Sequence, residues 1–186
     1  MTGFGIDVLE VEAKFKSPGN EKVEKALQRL GAKKLGAESV EDVYFSHPSR
    51  DFGRTDESLR LRKTELGSEL TYKGPRIQLE GSKAREEITV RPNDALAAQR
   101  IVERLGFRER LVIRKKRNSY LLEKLRVDLD DVEDLGEYVE IELLTESPEY
   151  SAKVMESVRK DLELERLEPR TYLEMILERK EGKLKS

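Results

Sequence analysis

Charged side chains recur at alternate positions in several segments of the chain, and both signs are present. The acidic members of this pattern are Glu10, Glu12, Asp130, Glu140 and Glu142. The basic members are Lys14, Arg60, Arg62, Lys73, Arg85, Lys115 and Arg117. Carboxylates gathered without cysteine or histidine suit Mg²⁺ or Mn²⁺ bound through oxygen, and arginines suit phosphate oxygens. A divalent metal with a polyphosphate would satisfy both groups, and mutual salt bridging is the alternative.

The composition excludes several other kinds of site. The 186 residues contain no cysteine, which rules out disulfides, thiolate metal sites, iron–sulfur clusters and cysteine nucleophiles. Lys and Arg number 36 and Asp and Glu 38, so the net charge of -2 gives no support for binding to nucleic acid or to a membrane surface. No run approaches the roughly 18 apolar residues of a membrane span, and no leader pattern opens the chain. A cytoplasmic protein is expected.

The elements that must position the charged residues follow from hydrophobic periodicity. Period-two alternation predicts strands at 8–15, 42–45, 58–63, 69–73, 83–90, 110–118, 120–122, 126–129 and 137–144. Helical spacing predicts a helix between Asn20 and Gly31 and further helices at 94–105, 149–162 and 171–179. Nearly every predicted strand has one charged face and one mostly apolar face.

This pattern predicts an α+β fold. A sheet of about eight strands has exposed edges, and closing it into a barrel removes them. We therefore predict an eight-stranded antiparallel β-barrel with amphipathic helices packed on the outside and the charged faces inside. A half-exposed sheet with its charged side in water is the alternative. No linker divides the chain, so one domain is expected over 1–180, followed by a polar tail at 181–186.

Several motifs carry a family resemblance. The run Glu10-Val11-Glu12-Ala13-Lys14 resembles the ExExK signature of the CYTH superfamily, the triphosphate tunnel metalloenzymes. Supporting segments follow in the family's order at 42–45, 58–63, 70–75, 85–87, 115–117 and 129–142. Segments 47–57 and 168–174 are similar to the CyaB branch, which contains the class IV adenylyl cyclases and their archaeal, often thermophilic, relatives. One departure is Thr89, which stands where the family often has a further glutamate.

The resemblance implies a fold, a ligand and a set of roles. The fold is an eight-stranded antiparallel tunnel that binds a nucleoside or other triphosphate with Mg²⁺ or Mn²⁺. Glu12 and Glu140 are the main metal ligands that it implies, with Glu10, Glu142 and Asp130 as further ligands or supporting groups. The seven basic residues named above would hold the phosphate chain. The catalytic candidates are Lys14, Lys73 and Asp130.

Two activities fit such a site. In a cyclase, the ribose 3′-hydroxyl of ATP attacks the α-phosphorus and pyrophosphate leaves; in a triphosphatase, water attacks the terminal phosphorus of thiamine triphosphate, tripolyphosphate or a nucleoside triphosphate. The branch resemblance favours the cyclase. A third hypothesis is a module that binds polyphosphate without turning it over. The resemblance also allows a homodimer.

Overall fold

The fold consists of strands that form one large sheet and helices that pack on it. The computed structural model describes residues 9–79, 82–145 and 148–182. The strands are β1 (Leu9–Lys16), β2 (Lys33–Ser46), β3 (Ser58–Thr64), β4 (Gly67–Lys73), β5 (Ile77–Leu79), β6 (Ser82–Ala84), β7 (Glu87–Val90), β8 (Arg108–Leu122), β9 (Leu125–Val132) and β10 (Gly136–Thr145). The helices are α1 (Asn20–Arg29), α2 (Phe52–Thr55), α3 (Ala95–Arg104), α4 (Pro148–Asp161) and α5 (Tyr172–Lys180).

Eight of the strands form one antiparallel sheet in the order β1-β10-β9-β8-β2-β3-β4-β7, and β5 and β6 form a separate hairpin. This confirms the α+β class and the eight-stranded antiparallel sheet. Two predicted strands, 110–118 and 120–122, are parts of the single long strand β8. The predicted strand 83–90 is instead divided, because residues 82–84 pair with β5 while residues 87–90 pair with β4.

The predicted closure of this sheet into a barrel is not confirmed. In the described residues, β1 and β7 stand at the two ends of the strand order with no ladder between them. The outer edge of β1 is occupied by residues 166–168. The Lys16 amide donates to the Arg166 carbonyl at 2.9 Å, and the Glu168 amide donates to the Lys14 carbonyl at 2.8 Å. These bonds occupy the carboxyl-terminal part of the β1 edge, at Lys14 and Lys16.

Three helices cover the apolar face of the sheet, as predicted. Helices α1 and α4 share one core cluster with β1, β8, β9 and β10, in which Leu27 and Ile141 are fully buried. Helix α3 packs Ala98 and Val102 against Val43 on β2 and other apolar side chains of β2 and β3. In the described residues, no helix is long and apolar enough to cross a membrane.

Helix α5 corrects the prediction that the helices lie on the outside. Its residues Met175 and Ile176 pack with Ile113 and Val132. Ile113 lies directly opposite Asp42 in the sheet, and Val132 lies opposite Lys115, so this apolar cluster belongs to the charged face. One end of that face is apolar, and α5 buries it. The predicted domain limit at residue 180 stays a prediction, and residues 183–186 of the predicted tail lie outside the described residues.

Candidate active site

Strand register places the charged residues on one side of the sheet. Directly paired residues of adjacent strands point to the same face. Glu12 is paired with Glu142 and Lys14 with Glu140, while Arg117 is paired with Asp130. Following the pairs across the sheet defines what we call the charged face, whose charged members include Glu12, Lys14, Lys16, Glu38, Asp42, Arg60, Arg62, Glu69, Lys73, Glu87, Lys115, Arg117, Arg126, Asp128, Asp130, Glu140 and Glu142.

The carboxylate of Asp130 lies at the centre of a buried network on this face. Asp130 is 0% exposed. It accepts hydrogen bonds from Lys115 Nζ at 2.8 Å, from Arg117 Nε and Nη2 at 2.7 and 2.6 Å, and from the Tyr172 hydroxyl at 2.9 Å. Burial by itself would raise the pKa of Asp130, but the charges and hydrogen bonds of Lys115 and Arg117 outweigh burial and hold it well below its ordinary value. Asp130 therefore fixes two of the predicted phosphate-binding cations.

Glu140 extends this network to β1. Its carboxylate accepts a hydrogen bond from Arg117 Nη2 at 2.5 Å and lies 3.8 Å from Lys14 Nζ. Although burial opposes ionisation, the charges of Lys115 and Arg117 lower the pKa of Glu140. The seven charged members of what we call the Asp130 network are the cations of Lys14, Lys115, Arg117 and Arg126 and the carboxylates of Asp128, Asp130 and Glu140. Four cations contact three carboxylates, so the negative charge of the buried carboxylates is fully compensated.

A second cluster on the charged face surrounds Asp42. Arg62 donates to both carboxylate oxygens of Asp42, from Nε at 2.7 Å and from Nη2 at 2.8 Å. Arg60 Nε lies 3.8 Å from the same carboxylate, too far for a hydrogen bond. In the described part of the chain, Arg60 Nε and Arg85 Nε are buried donors with no hydrogen-bond partner. Buried donors without a partner are costly, so both positions suit an incoming anion.

The Asp42 cluster gives a pH prediction. Burial would raise the pKa of Asp42, but the hydrogen bonds of Arg62 and the charge of Arg60 lower it from 3.8 to about 2. The ionised group therefore stabilises the fold at pH values above 3.8, and this contribution is lost as the pH falls through about 2. We expect the stability advantage of the wild type over Asp42→Asn, measured by urea unfolding, to shrink by about 2 kcal/mol between pH 5 and pH 2. Every other carboxyl titrates in both proteins, so a constant advantage would contradict this prediction.

The other two predicted phosphate-binding residues lie in separate contacts. Lys73, at the end of β4, pairs with Glu87 on β7 at 2.6 Å. Arg85 donates from Nη2 to the Asp56 carbonyl at 3.2 Å. Arg76 binds the Asp56 carboxylate at 2.7 Å and also reaches Glu174 in the first turn of α5 at 2.9 Å. The loop that carries Arg85 is thus tied to the helix that covers the charged face.

The predicted metal ligands have the right chemistry but are not gathered into a ready site. Glu12 and Glu142 face each other across β1 and β10. Glu10 is opposite Leu144 in the same ladder, and its side chain lies outside the described residues. Within the described residues, no group of three or more Asp, Glu, His or Cys side chains is arranged to hold a metal ion. Glu12 and Glu142 present carboxylate oxygens from two adjacent strands on one face, and such oxygens suit a divalent cation.

Three residues of the site are absent from the predicted set. Asp128 alternates with Val127 and Leu129 as the predicted acids do, so the same signal could have found it, whereas Asp42 follows Glu41 and gives a weaker signal. Tyr172 gave no such signal, because it belongs to a helix far along the chain. Its hydroxyl reaches Asp130, and its ring lies 4.4 Å from Lys14 Nζ and 4.9 Å from Lys115 Nζ.

Comparison with known proteins agrees with this architecture. Residues 9–174 match the family model of the CYTH domain. The protein of Methanocaldococcus jannaschii named "Putative adenylate cyclase MJ0240" is 40% identical over 151 residues, which is 81% of this chain and 86% of that protein. The solved structure of the PH1819 protein from Pyrococcus horikoshii OT3 is 38% identical, with a TM-score of 0.80 over 91% of this chain and 99% of that chain.

A more distant structure shares the fold. HpAC1 from Hippeastrum, a protein whose structure is described as revealing a dominant triphosphatase activity, is 20% identical, with a TM-score of 0.70 over 96% of this chain and 97% of that chain. The chain described above belongs to the CYTH family, as its motifs indicated. Its similarity to an archaeal protein named as an adenylate cyclase agrees with the branch that segments 47–57 and 168–174 resemble.

Proposed function

We propose that this protein is a divalent-metal-dependent enzyme that acts on triphosphates, with the conversion of ATP to cyclic AMP and pyrophosphate as its first candidate reaction. The observation that carries the proposal is the register of β1 and β10. It sets Glu12 opposite Glu142 and Lys14 opposite Glu140 on the same face as Arg60, Arg62, Lys115 and Arg117. Acids suited to a metal and bases suited to phosphate thus share one surface, which we propose as the lining of the predicted tunnel.

The anion would be held first by the groups whose donors lack partners. Arg60 Nε and Arg85 Nε are buried without a hydrogen bond, so binding phosphate oxygens would remove a cost that the unliganded protein carries. Arg62 pairs with Asp42, and Lys73 pairs with Glu87, on the same face. Both cations would add positive charge near the phosphate chain. Arginine can bind two phosphate oxygens at once, which fixes the orientation of the chain.

The cation would be held by Glu12 and Glu142, with Glu140 and Glu10 as further ligands. Glu140 is engaged by Arg117 and Lys14 and would have to exchange one of these partners. Asp130 accepts from Lys115, Arg117 and Tyr172, so we propose that it positions these groups and does not bind the metal. A bound Mg²⁺ or Mn²⁺ would neutralise charge that develops on the phosphate oxygens.

The chain's contribution to the reaction is then positioning and charge neutralisation, as is general for phosphoryl transfer. Lys14 and Lys73 would face the phosphate chain from β1 and β4 and stabilise charge on the leaving oxygen. In the cyclase reaction, the bond from the ribose 3′-oxygen to the α-phosphorus forms and the bond to the pyrophosphate oxygen breaks. The hydroxyl proton is released to solvent or to a basic group.

A triphosphatase is the second candidate. It is supported by the same face, whose charged groups suit a triphosphate whatever organic group it carries, and by the activity described for HpAC1. In that reaction water attacks the terminal phosphorus, and orthophosphate and a diphosphate are the products.

Product analysis distinguishes the candidates. The purified protein would be incubated with Mg²⁺ or Mn²⁺ and, separately, with ATP, thiamine triphosphate and tripolyphosphate, and the products resolved by chromatography. We expect cyclic AMP and pyrophosphate from ATP, and no product from Glu12→Ala or Glu140→Ala. Glu109→Ala, an exposed position in β8 on the opposite face, is the matched control and should keep full activity.

Each alternative outcome has a definite meaning. Orthophosphate without cyclic AMP would establish the triphosphatase. Thermal stabilisation by tripolyphosphate and metal without any product would indicate a binding module. Activity that survives both glutamate substitutions would contradict the proposed site.

A further inference from the structure

The first turn of α5 brings an aromatic residue into the Asp130 network. Tyr172 is buried, with 7% of its surface exposed. Lys14 Nζ and Lys115 Nζ lie 4.4 and 4.9 Å from the centre of its ring, and its hydroxyl donates to Asp130 at 2.9 Å. One side chain thus contacts two cations and the carboxylate that orders the network.

The position of Tyr172 is fixed from both sides. Thr171 and Glu174 form a capping box, in which the Thr171 hydroxyl accepts from the Glu174 amide at 3.2 Å and the Thr171 amide donates to the Glu174 carboxylate at 2.6 Å. The ring of Tyr138 on β10 packs edge-on against the ring of Tyr172 at 5.5 Å. Because the position of the ring is fixed, the ring can in turn position the ammonium groups of Lys14 and Lys115 that lie over it.

We infer that Tyr172 is a positioning residue, which keeps Lys14 and Lys115 in place for a phosphate chain; this inference rests on the proposed function. Without a ligand, Lys14 is held by Glu140 and by the ring of Tyr172. If Glu140 turns to a metal, Lys14 loses its carboxylate and the ring remains as its partner. Cations are attracted to the face of an aromatic ring without being neutralised, so their charge stays available to an anion.

The consequence is an effect of the ring on the anion that does not need the metal. The side chain of Tyr172 contacts two cations and Asp130, and none of these is among the residues proposed to bind metal. Loss of the ring should therefore weaken the hold on a polyphosphate even when no metal is present.

Isothermal titration of the full chain with tripolyphosphate, with and without Mn²⁺, tests this inference. We expect Tyr172→Leu to bind tripolyphosphate roughly tenfold more weakly, as the loss of two cation–ring contacts implies. Tyr172→Phe keeps the ring and should recover most of the affinity. The loss should be seen already in the titration without Mn²⁺, because the two lysines act on the anion directly.

Met175→Ala is the matched control. It removes a buried side chain from the same helix and the same apolar cluster, and it leaves in place the contacts of Tyr172 with Lys14, Lys115 and Asp130. We expect it to lower the free energy of unfolding by an amount similar to Tyr172→Leu and to bind tripolyphosphate nearly as tightly as wild type.

The outcomes separate this inference from the proposed function. Wild-type protein that binds no tripolyphosphate with or without metal would overturn the proposed function itself. Wild-type protein that binds, together with a Tyr172→Leu variant that binds equally well, would overturn the inference alone. If Tyr172→Leu does not fold, Tyr172→Phe is compared with Lys115→Met. A Tyr172→Phe variant that binds tripolyphosphate as weakly as Lys115→Met would also overturn the inference, because the retained ring would then contribute nothing.

Discussion

Replacement of Arg117 by methionine is expected to destabilise the protein by about 3–5 kcal/mol, the usual cost of removing one partner from a buried ion pair. The side chain of Arg117 is 7% exposed and lies 2.7 Å from Asp128, 2.6 Å from Asp130 and 2.5 Å from Glu140. Methionine is similar in length but carries no charge. Three carboxylates would remain around it, balanced by the ammonium groups of Lys14 and Lys115 and by the more exposed guanidinium of Arg126.

Arg114→Met supplies the comparison. Arg114 lies three residues earlier in β8, on the opposite face; its side chain is 60% exposed and pairs with Glu41 at 3.0 Å. Exposed pairs of this kind contribute about 0–1 kcal/mol. The free energy of unfolding would be measured in urea for both variants. Equal losses would show that burial of the Asp130 network contributes no more than a surface ion pair does.

Replacement of Glu12 by glutamine is expected to reduce metal-dependent turnover of the triphosphate substrate about 10³-fold, since a bound metal typically supplies several kcal/mol of transition-state stabilisation. Glutamine keeps the size of the side chain and removes the charge that faces Glu142. With one of the two opposed carboxylates gone, both the affinity for the cation and its placement beside the phosphates should suffer. Steady-state rates as a function of Mn²⁺ concentration measure the two effects separately.

This change should leave the anion site intact. The affinity of Glu12→Gln for tripolyphosphate without metal should therefore stay within about threefold of wild type, because the basic residues that would hold the anion are unchanged. Glu109→Gln makes the same chemical change on the outer face of β8 and should behave as wild type. A Glu12→Gln variant that keeps its turnover at every Mn²⁺ concentration would show that Glu12 does not hold the metal.

The local pattern predicted much of the architecture because each strand is half apolar. Leu61, Val43 and Ile141 bury the apolar side of their strands against neighbours, while Arg60 and Asp42 lie on the other side. A shift of one residue would exchange the two sides, so alternation specifies the faces strongly. The prediction divided β8 into two strands and joined β6 to β7. Local alternation cannot decide either boundary, because the pairing partners determine where a strand ends.

The positions within the site show where local pattern is insufficient. The sequence by itself determined that acids and bases share one face, that no thiol chemistry is available, and which motifs mark the CYTH family, because these depend on residue type and short spacing. Only the tertiary structure decided which of these charges neutralise one another. It joined Asp130 to Arg117 from the neighbouring strand and paired residues 166–168 with the end of β1. It also put Tyr172 against Lys14 across more than 150 positions of chain. Contacts of this kind depend on register and on the docking of a distant helix, which periodicity does not encode.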